Sequence, residues 1–419
     1  MTTSVRQALR GILHLGSGEM LGRICWIAIV IILGHWYGVV VLGVYALAAT
    51  VTQYLQPVID FGLRHVGARL LAQYPLSAGE IVRRVQRRRV MMAGAVLPFI
   101  LLYATLVKLP PDMKAFLFVF SAGGALYALS LDWAAWGQGQ LHMVGLARAV
   151  VPLTILVFLT IGRGSAGRAL WWAAGGNAFG FVLQGLILWV WWEKHKPEVV
   201  DEQSVITDSL AWQRTSVMGV AWLGNLAFNS IDMLMLGVMS NPEQVGLYSA
   251  AYRVLNQVLV VYYLLTQSLY PQFAQQSSEE RVRMLRPRIL LSLLGAGVAV
   301  AVAVAVSRRP VLTILFGHQF LIAGPLLLLL AWAAPLDFLT SYLSNAYIAW
   351  GMEKRVLLCT AVAAGSNVVL NLIWIPTYGA TAAAVNTLVS YVIFLISLAL
   401  AGRSAREPAR GAQQRCATS

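Results

Sequence analysis

The chain has 419 residues, of which 58% are hydrophobic and only 11% charged. A water-soluble domain carries about 25% charged residues, so this composition excludes one and calls for a bilayer as solvent. The net charge of +14 is read as basic loops on one side of a membrane, not as a nucleic-acid surface.

In chain order, apolar runs between polar breaks predict about twelve helices. They lie near 12–34, 39–60, 91–107, 115–136, 147–162, 169–192, 212–238, 246–272, 288–306, 321–350, 356–375 and 378–401. Each approaches the roughly 20 residues that a spanning helix requires. The runs are continuous rather than alternating, which favours helices over barrel strands. The opening MTTSVRQALRG has basic residues but no small-residue cleavage site, so the first span is expected to be retained. Pro325 and Pro335 are expected to kink the tenth span.

Basic residues then orient the chain. With both termini cytoplasmic, one face collects Arg6, Arg10, the arginines from Arg64 to Arg89, Arg148, Lys194, Lys196, Arg214, those from Arg281 to Arg288, Lys354, Arg355 and the tail. The other holds Lys108, Lys114, Arg163, Arg168, Arg308 and Arg309, while Arg23 and Arg253 fall within spans. This bias places both ends in the cytoplasm. RRVQRRR (83–89) is accordingly read as a cytoplasmic loop and topology signal that also touches anionic lipid.

Internal echoes relate the two halves. GVYALAATV (43–51) returns as GLYSAAYRV (246–254), with Gly43, Tyr45 and Ala48 each 203 positions before Gly246, Tyr248 and Ala251. Ala135-Trp136-Gly137 returns as Ala349-Trp350-Gly351, and Asn177 as Asn386, at offsets of 214 and 209. Each echo pairs a span with the span six later. The expected fold is therefore an all-α polytopic membrane protein of about twelve transmembrane helices in two pseudo-symmetric six-helix lobes. Such parallel repeats hold substrate between lobes and alternate access by rocking. The lobes are expected at 1–192 and 215–402, with a cytoplasmic linker at 193–214 and a disordered tail at 403–419.

Several patches now carry a resemblance: GVYALA with DFGLRHVGARLLA (60–72), DMLMLG (232–237), VGLYSAAYRV, LYPQFA (269–274), LFGHQF (315–320) and NVVLNLIWIPTYGATAAA (367–384). The chain resembles the polysaccharide-unit flippases of the multidrug/oligosaccharidyl-lipid/polysaccharide (MOP) exporter superfamily. The resemblance implies a MATE-like fold in the bacterial inner membrane. It implies translocation of polyprenyl-diphosphate-linked oligosaccharide for O-antigen, lipopolysaccharide or exopolysaccharide assembly. It also implies a cationic inter-lobe cavity opening laterally between spans one and eight. Membrane lipids are expected partners, with a polysaccharide polymerase or glycosyltransferases beside them, and no nucleic acid.

Ionisable groups within spans are costly and usually face a cavity or a partner. Arg23 leads as a phosphate ligand, because a guanidinium binds oxyanions bidentately and stays charged when desolvated. Glu19, four residues earlier, offers either an internal pair or a neighbour in the same site. The related lipid II flippases place an arginine in their cavity near the position of Arg253, within a similar LY-A-R string. Those relatives carry another in span two, where this chain has Thr50. Asn256, with Asn225, Asn229, Gln257 and Gln267, suits either a sugar path or helix–helix hydrogen bonding. Asp232, Asp132 and Asp337 are candidates for ion coupling, with structural pairing as the alternative, Arg253 being one such partner for Asp232. Asp60 is read as a structural pair with Arg64 or Arg69, and the Trp171–Trp192 tryptophans as interfacial anchors. Gly176 to Gly180 is a GxxxG match.

No Gly-Lys pair, HExxH or CxxC occurs, so no P-loop, zincin or dithiol chemistry is expected. Cys25, Cys359 and Cys416 lack metal spacing. No enzyme activity, cofactor or metal is expected. A cation-coupled drug or small-molecule antiporter of the same superfamily is the alternative function, and a non-transporting scaffold of a glycan-assembly complex is another.

Overall fold

The computed structural model describes residues 3–196, 212–268, 272–273, 275–276 and 285–417. Side chains are described within these ranges between 18 and 402, apart from 212–214, 217, 218, 221, 225, 261, 264, 267 and 268. Asn225, Gln267 and the 197–211 stretch thus lie outside the described residues.

The described residues form helices and no strands. In chain order these are α1 (Thr3–Asp60), α2 (Leu63–Gln73), α3 (Ala78–Leu106), α4 (Pro111–Ala125), α5 (Asp132–Gly137), α6 (Leu141–Ile161) and α7 (Ala166–His195). There follow α8 (Trp212–Met239), α9 (Pro242–Ser268), α10 (Pro287–Phe316), α11 (Gly324–Ala331), α12 (Ala333–Ala349) and α13 (Glu353–Ala417). Among the described residues, eight segments are long and apolar enough to cross a membrane.

Two of those segments hold two expected spans each. Gly18–Asp60 has 43 residues, about 65 Å of helix at 1.5 Å per residue, against roughly 30 Å of hydrocarbon. It breaks at Gly38, where φ is 87° and ψ is −174°, a conformation glycine adopts without steric cost. Gly379, at φ 56° and ψ −133°, breaks α13 in the same way, at the start of the expected twelfth span. The tenth span divides between α11 and α12, and Pro335 lies in the first turn of α12, where its missing N–H costs no helix bond.

The sequence expectation is corrected in several places. Residues 83–89 are not a loop, because α3 starts at Ala78. Helix α13 runs to Ala417 through the tail expected to be disordered. Trp191 and Trp192 are buried with Leu63, Val85 and Trp133, not lying at an interface.

The chain forms two compact units, Met1–Leu223 and Gly224–Ser419. In the first, α6 packs extensively on both α1 and α7. Small residues make this possible. A Cβ on Gly18 would overlap the Gly145 carbonyl, and one on Gly22 would stand 2.9 Å from the Arg148 carbonyl oxygen. On the opposite contact, a Cβ on Gly176 would stand 2.8 Å from the Ile155 Cα, and one on Gly180 would overlap the Thr154 hydroxyl. Two GxxxG pairs therefore clasp α6. In the second unit α12 packs on α10 and α13, around Tyr342, Tyr347, Phe394 and Leu398.

The echoes have structural counterparts within each unit. Tyr45 and Tyr248 are both buried, as are Asn177 and Asn386. α5 and α12 end in the same cap. Gly139 at φ 72° and Gly351 at φ 79° follow the helix, with Gln140 N–H donating to the Ala135 carbonyl and Met352 N–H to that of Tyr347. This is a Schellman pattern. Its offset is 212, so the Ala-Trp-Gly echo sits two residues out of structural register.

Gly22→Leu is expected to destabilise the first unit by about 1–3 kcal/mol through overpacking. Gly94→Leu, where a Cβ meets open space, should leave the melting temperature of the detergent-solubilised protein unchanged.

Candidate functional site

The close approach of α1 and α6 sets the site. Glu19 follows Gly18, and Arg148 lies three residues beyond Gly145 on the same face of α6. With the backbones in contact, the Glu19 carboxylate reaches two guanidinia. Its Oε1 is 3.3 Å from Arg23 Nη2, and its Oε2 pairs with Arg148 Nη1. Both arginine side chains remain 44% exposed. The internal pair expected for Arg23 is therefore present, extended by a second arginine that the sequence reading counted only among the cytoplasmic basic residues.

A second charged group lies beside it. Arg64 Nη2 is 2.8 Å from Asp132 Oδ2, and its Nη1 is 3.4 Å from the Tyr127 hydroxyl. Ser130 Oγ donates to Asp132 Oδ1 at 3.1 Å. Behind them Arg89 Nε is 2.8 Å from Asp60 Oδ1, with the arginine fully buried. The Tyr127 hydroxyl donates to Asp60 Oδ2 at 2.8 Å. Arg89 also donates to the carbonyls of Ser130 and Tyr127, and its guanidinium lies 4.8 Å from the Tyr127 ring centroid. Asp60 thus pairs with Arg89, not with Arg64 or Arg69. The last arginine of RRVQRRR is an internal ion-pair partner, because the helical start of α3 turns it inward.

Glu19, Arg23, Arg64, Asp132, Arg148 and Gln184, among others, line one cavity of about 330 Å³ in the first unit. Gln56, Trp26 and Trp222 complete the polar and aromatic wall. Three guanidinia face two carboxylates there. Guanidinium forks match phosphate and carboxylate oxygens, amides match hydroxyls, and aromatic faces match sugar rings. Next to Arg64, burial and the neighbouring positive charge push the His65 imidazole below its ordinary pKa. Its ring lies between those of Trp136 and Trp222.

In the second unit, Asp232 is 2% exposed and surrounded by neutral donors. Tyr248 and Thr387 donate to its Oδ2 at 2.9 and 3.0 Å, and Asn371 donates to its Oδ1. Asn371 also donates to Asn367 at 2.8 Å, and Asn386 donates to Asn371 at 2.8 Å. The repeated tyrosine and the repeated asparagine therefore meet in this cluster. Ser341 donates to Asp337 Oδ1 at 3.3 Å. Arg253 and Asn256 are half-buried on α9. Of the expected site residues, Glu19, Arg23 and Asp132 share the cavity, while Asp232, Asp337, Arg253 and Asn256 belong to the second unit.

Residues 8–277 match the family model described as "Polysaccharide biosynthesis protein". The chain belongs to this polysaccharide biosynthesis protein family. Among relatives of this family member, the probable low-salt glycan biosynthesis flippase Agl15 of Haloferax volcanii is 23% identical over 177 residues. That match spans 42% of this chain and 38% of the relative, well under half of its length. The fold is similar to lipid II flippase MurJ in an inward closed conformation, with a TM-score of 0.72 at 14% identity over 94% of this chain and 87% of that one. It is equally similar to an inward-facing multidrug resistance MATE family transporter, with a TM-score of 0.72 at 13% identity over 94% and 99%. This family member thus has the fold of the MOP superfamily.

Sequence reasoning missed Arg64, Arg89 and Arg148. The one available signal was the Gly18–Gly22 spacing around Glu19, which brings a neighbouring helix close. Arg89→Ala is expected to cost about 3–5 kcal/mol, because Asp60 is left charged and unpaired. Replacing Arg89 and Asp60 together by Leu should recover most of that loss in a thermal melt.

Proposed function

We propose that this protein flips polyprenyl-diphosphate-linked oligosaccharide from the cytoplasmic to the outer leaflet. The observation that carries this reading is the cavity with Arg23 and Arg148 around Glu19, in a member of the polysaccharide biosynthesis protein family. A diphosphate cannot cross roughly 30 Å of hydrocarbon without a cationic host. Arg23 and Arg148 supply two guanidinium forks, and the glutamines and tryptophans of the wall suit the attached sugars. In the orientation given by the basic residues, the cavity lies in the cytoplasmic half, where the cargo is made. Arg253 and Asn256, which lie in the second unit, are proposed as further cargo-binding residues.

The finer assignments belong to the same reading. The protein acts in a bacterial inner membrane, in assembly of O-antigen, lipopolysaccharide or exopolysaccharide, beside a polymerase and glycosyltransferases. Its mechanism is alternating access. Asp232 is proposed to couple transport to an ion or proton, as buried intramembrane acids do, while Asp132 and Asp337 serve as structural partners. The equal likeness to a multidrug transporter favours a second reading, a cation-coupled antiporter. Three arginines in one cavity repel a cationic drug and argue against it.

The test is a leaflet-specific assay of lipid-linked glycan in cells carrying variants. Arg23→Ala and Arg148→Ala should each lower outer-leaflet glycan at least about tenfold, the scale of one charge-assisted contact, while the protein still inserts. Unimpaired export in both would overturn the cationic-cavity reading. Asp232→Asn should abolish the dependence of flipping on an imposed ion or proton gradient. A gradient response equal to the parent's would remove Asp232 from coupling.

A further inference from the structure

Arg64 and Asp132 pair in the wall of the cavity. We infer that Arg64 is a cargo-binding residue and that Asp132 is its positioning residue, together making a second anion subsite in the cavity. The inference rests on the reading that this cavity takes a diphosphate.

Two arginine–aspartate pairs lie side by side here, and they differ in one respect. Arg89 is fully buried against Asp60 and does not line the cavity, so that pair is structural. The Arg64 side chain is 18% exposed, and it lines the cavity together with Asp132. Asp132 holds Nη2 and the Tyr127 hydroxyl lies against Nη1. A guanidinium has five N–H donors in a rigid fork. Two anchors, one at each terminal nitrogen, fix its plane and leave other N–H donors for an oxyanion. Asp132 is itself held, since Ser130 Oγ donates to it and Gln184 Nε2 donates to Ser130 Oγ at 3.2 Å.

The backbone gives an independent reason. Helix α1 stops at Asp60, and the next two residues both take positive φ, 35° at Phe61 and 83° at Gly62. Positive φ is uncommon for a bulky non-glycine residue. The turn is held from outside: a Cβ on Gly62 would overlap the Thr215 carbonyl, and one on Gly219 would stand 2.9 Å from the Phe61 ring. Strain maintained by surrounding packing clusters at ligand-binding positions. This turn delivers Arg64 to the cavity two residues later.

A counter-charge and a positioning residue predict opposite signs. If Asp132 merely neutralises Arg64, Asp132→Asn removes a negative charge from the cavity and anion binding tightens. If Asp132 fixes the fork, the same change lets Arg64 swing away and binding weakens. Inorganic pyrophosphate binding to the purified full-length protein in detergent, by titration calorimetry at fixed ionic strength, separates them. Arg64→Ala should weaken binding at least about tenfold, the worth of a charge-assisted hydrogen bond, with Arg64→Lys intermediate. Asp132→Asn should weaken it severalfold and Asp132→Glu should restore it, with thermal melts confirming that each variant is folded. Where Asp132→Asn fails to fold, the Arg64→Lys and Asp132→Glu arms decide alone. Unchanged or tighter binding in Asp132→Asn, or binding in Arg64→Ala equal to the parent's, overturns the subsite. Loss in Arg23→Ala alone leaves the diphosphate reading standing without it. A parent protein that does not bind pyrophosphate overturns both.

Discussion

A charge held away from water needs an opposite charge or a full set of hydrogen bonds, and the first unit is arranged around that requirement. Arg89 meets Asp60, Arg64 meets Asp132, and Glu19 meets both Arg23 and Arg148. These pairs join α1, α2, α3, α5 and α6. Removing a member of the buried Arg89–Asp60 pair leaves a desolvated charge, which costs far more than the intact pair contributes. Pairing therefore acts as much on geometry as on stability. It decides which helix ends meet and which guanidinia face the cavity.

Close helix contact makes the pairing possible. Gly18 and Gly22 let α1 touch α6, and Gly176 and Gly180 let α7 touch its other side. Lipid supplies no hydrophobic drive for helices to associate, so contact area and buried polar links must hold them. The second unit meets the same constraint with different chemistry. Asp232 is surrounded by a phenol, a threonine hydroxyl and an amide. The duplicated tyrosine illustrates this divergence. Tyr248 donates to an aspartate, whereas Tyr45 packs edge-on against Phe120.

A MOP fold accommodates both lipid-linked glycans and drugs, so the fold alone does not select a cargo. Under the proposed function, selection rests with the side chains of the cavity. An excess of guanidinium over carboxylate favours an anion, and the amides and indoles around it favour a polar, ring-bearing headgroup.

Composition and apolar periodicity determined the class and the approximate helix boundaries, because these depend on a residue's own preference for lipid or water. Gly38 fell between the first two expected spans, and Gly379 at the start of the twelfth. Arg23 and Glu19 were legible as a pair, since four residues on one helix share a face. The partners of Asp60 and Asp132, the inward turn of Arg89 and the arrival of Arg148 beside Glu19 were not. They depend on which helices touch and in what register. The arginines from Arg64 to Arg89 were read only as topology signals, yet two of them are ion-pair partners inside the unit. Tertiary structure alone decided this, because only packing determines which charges are desolvated together.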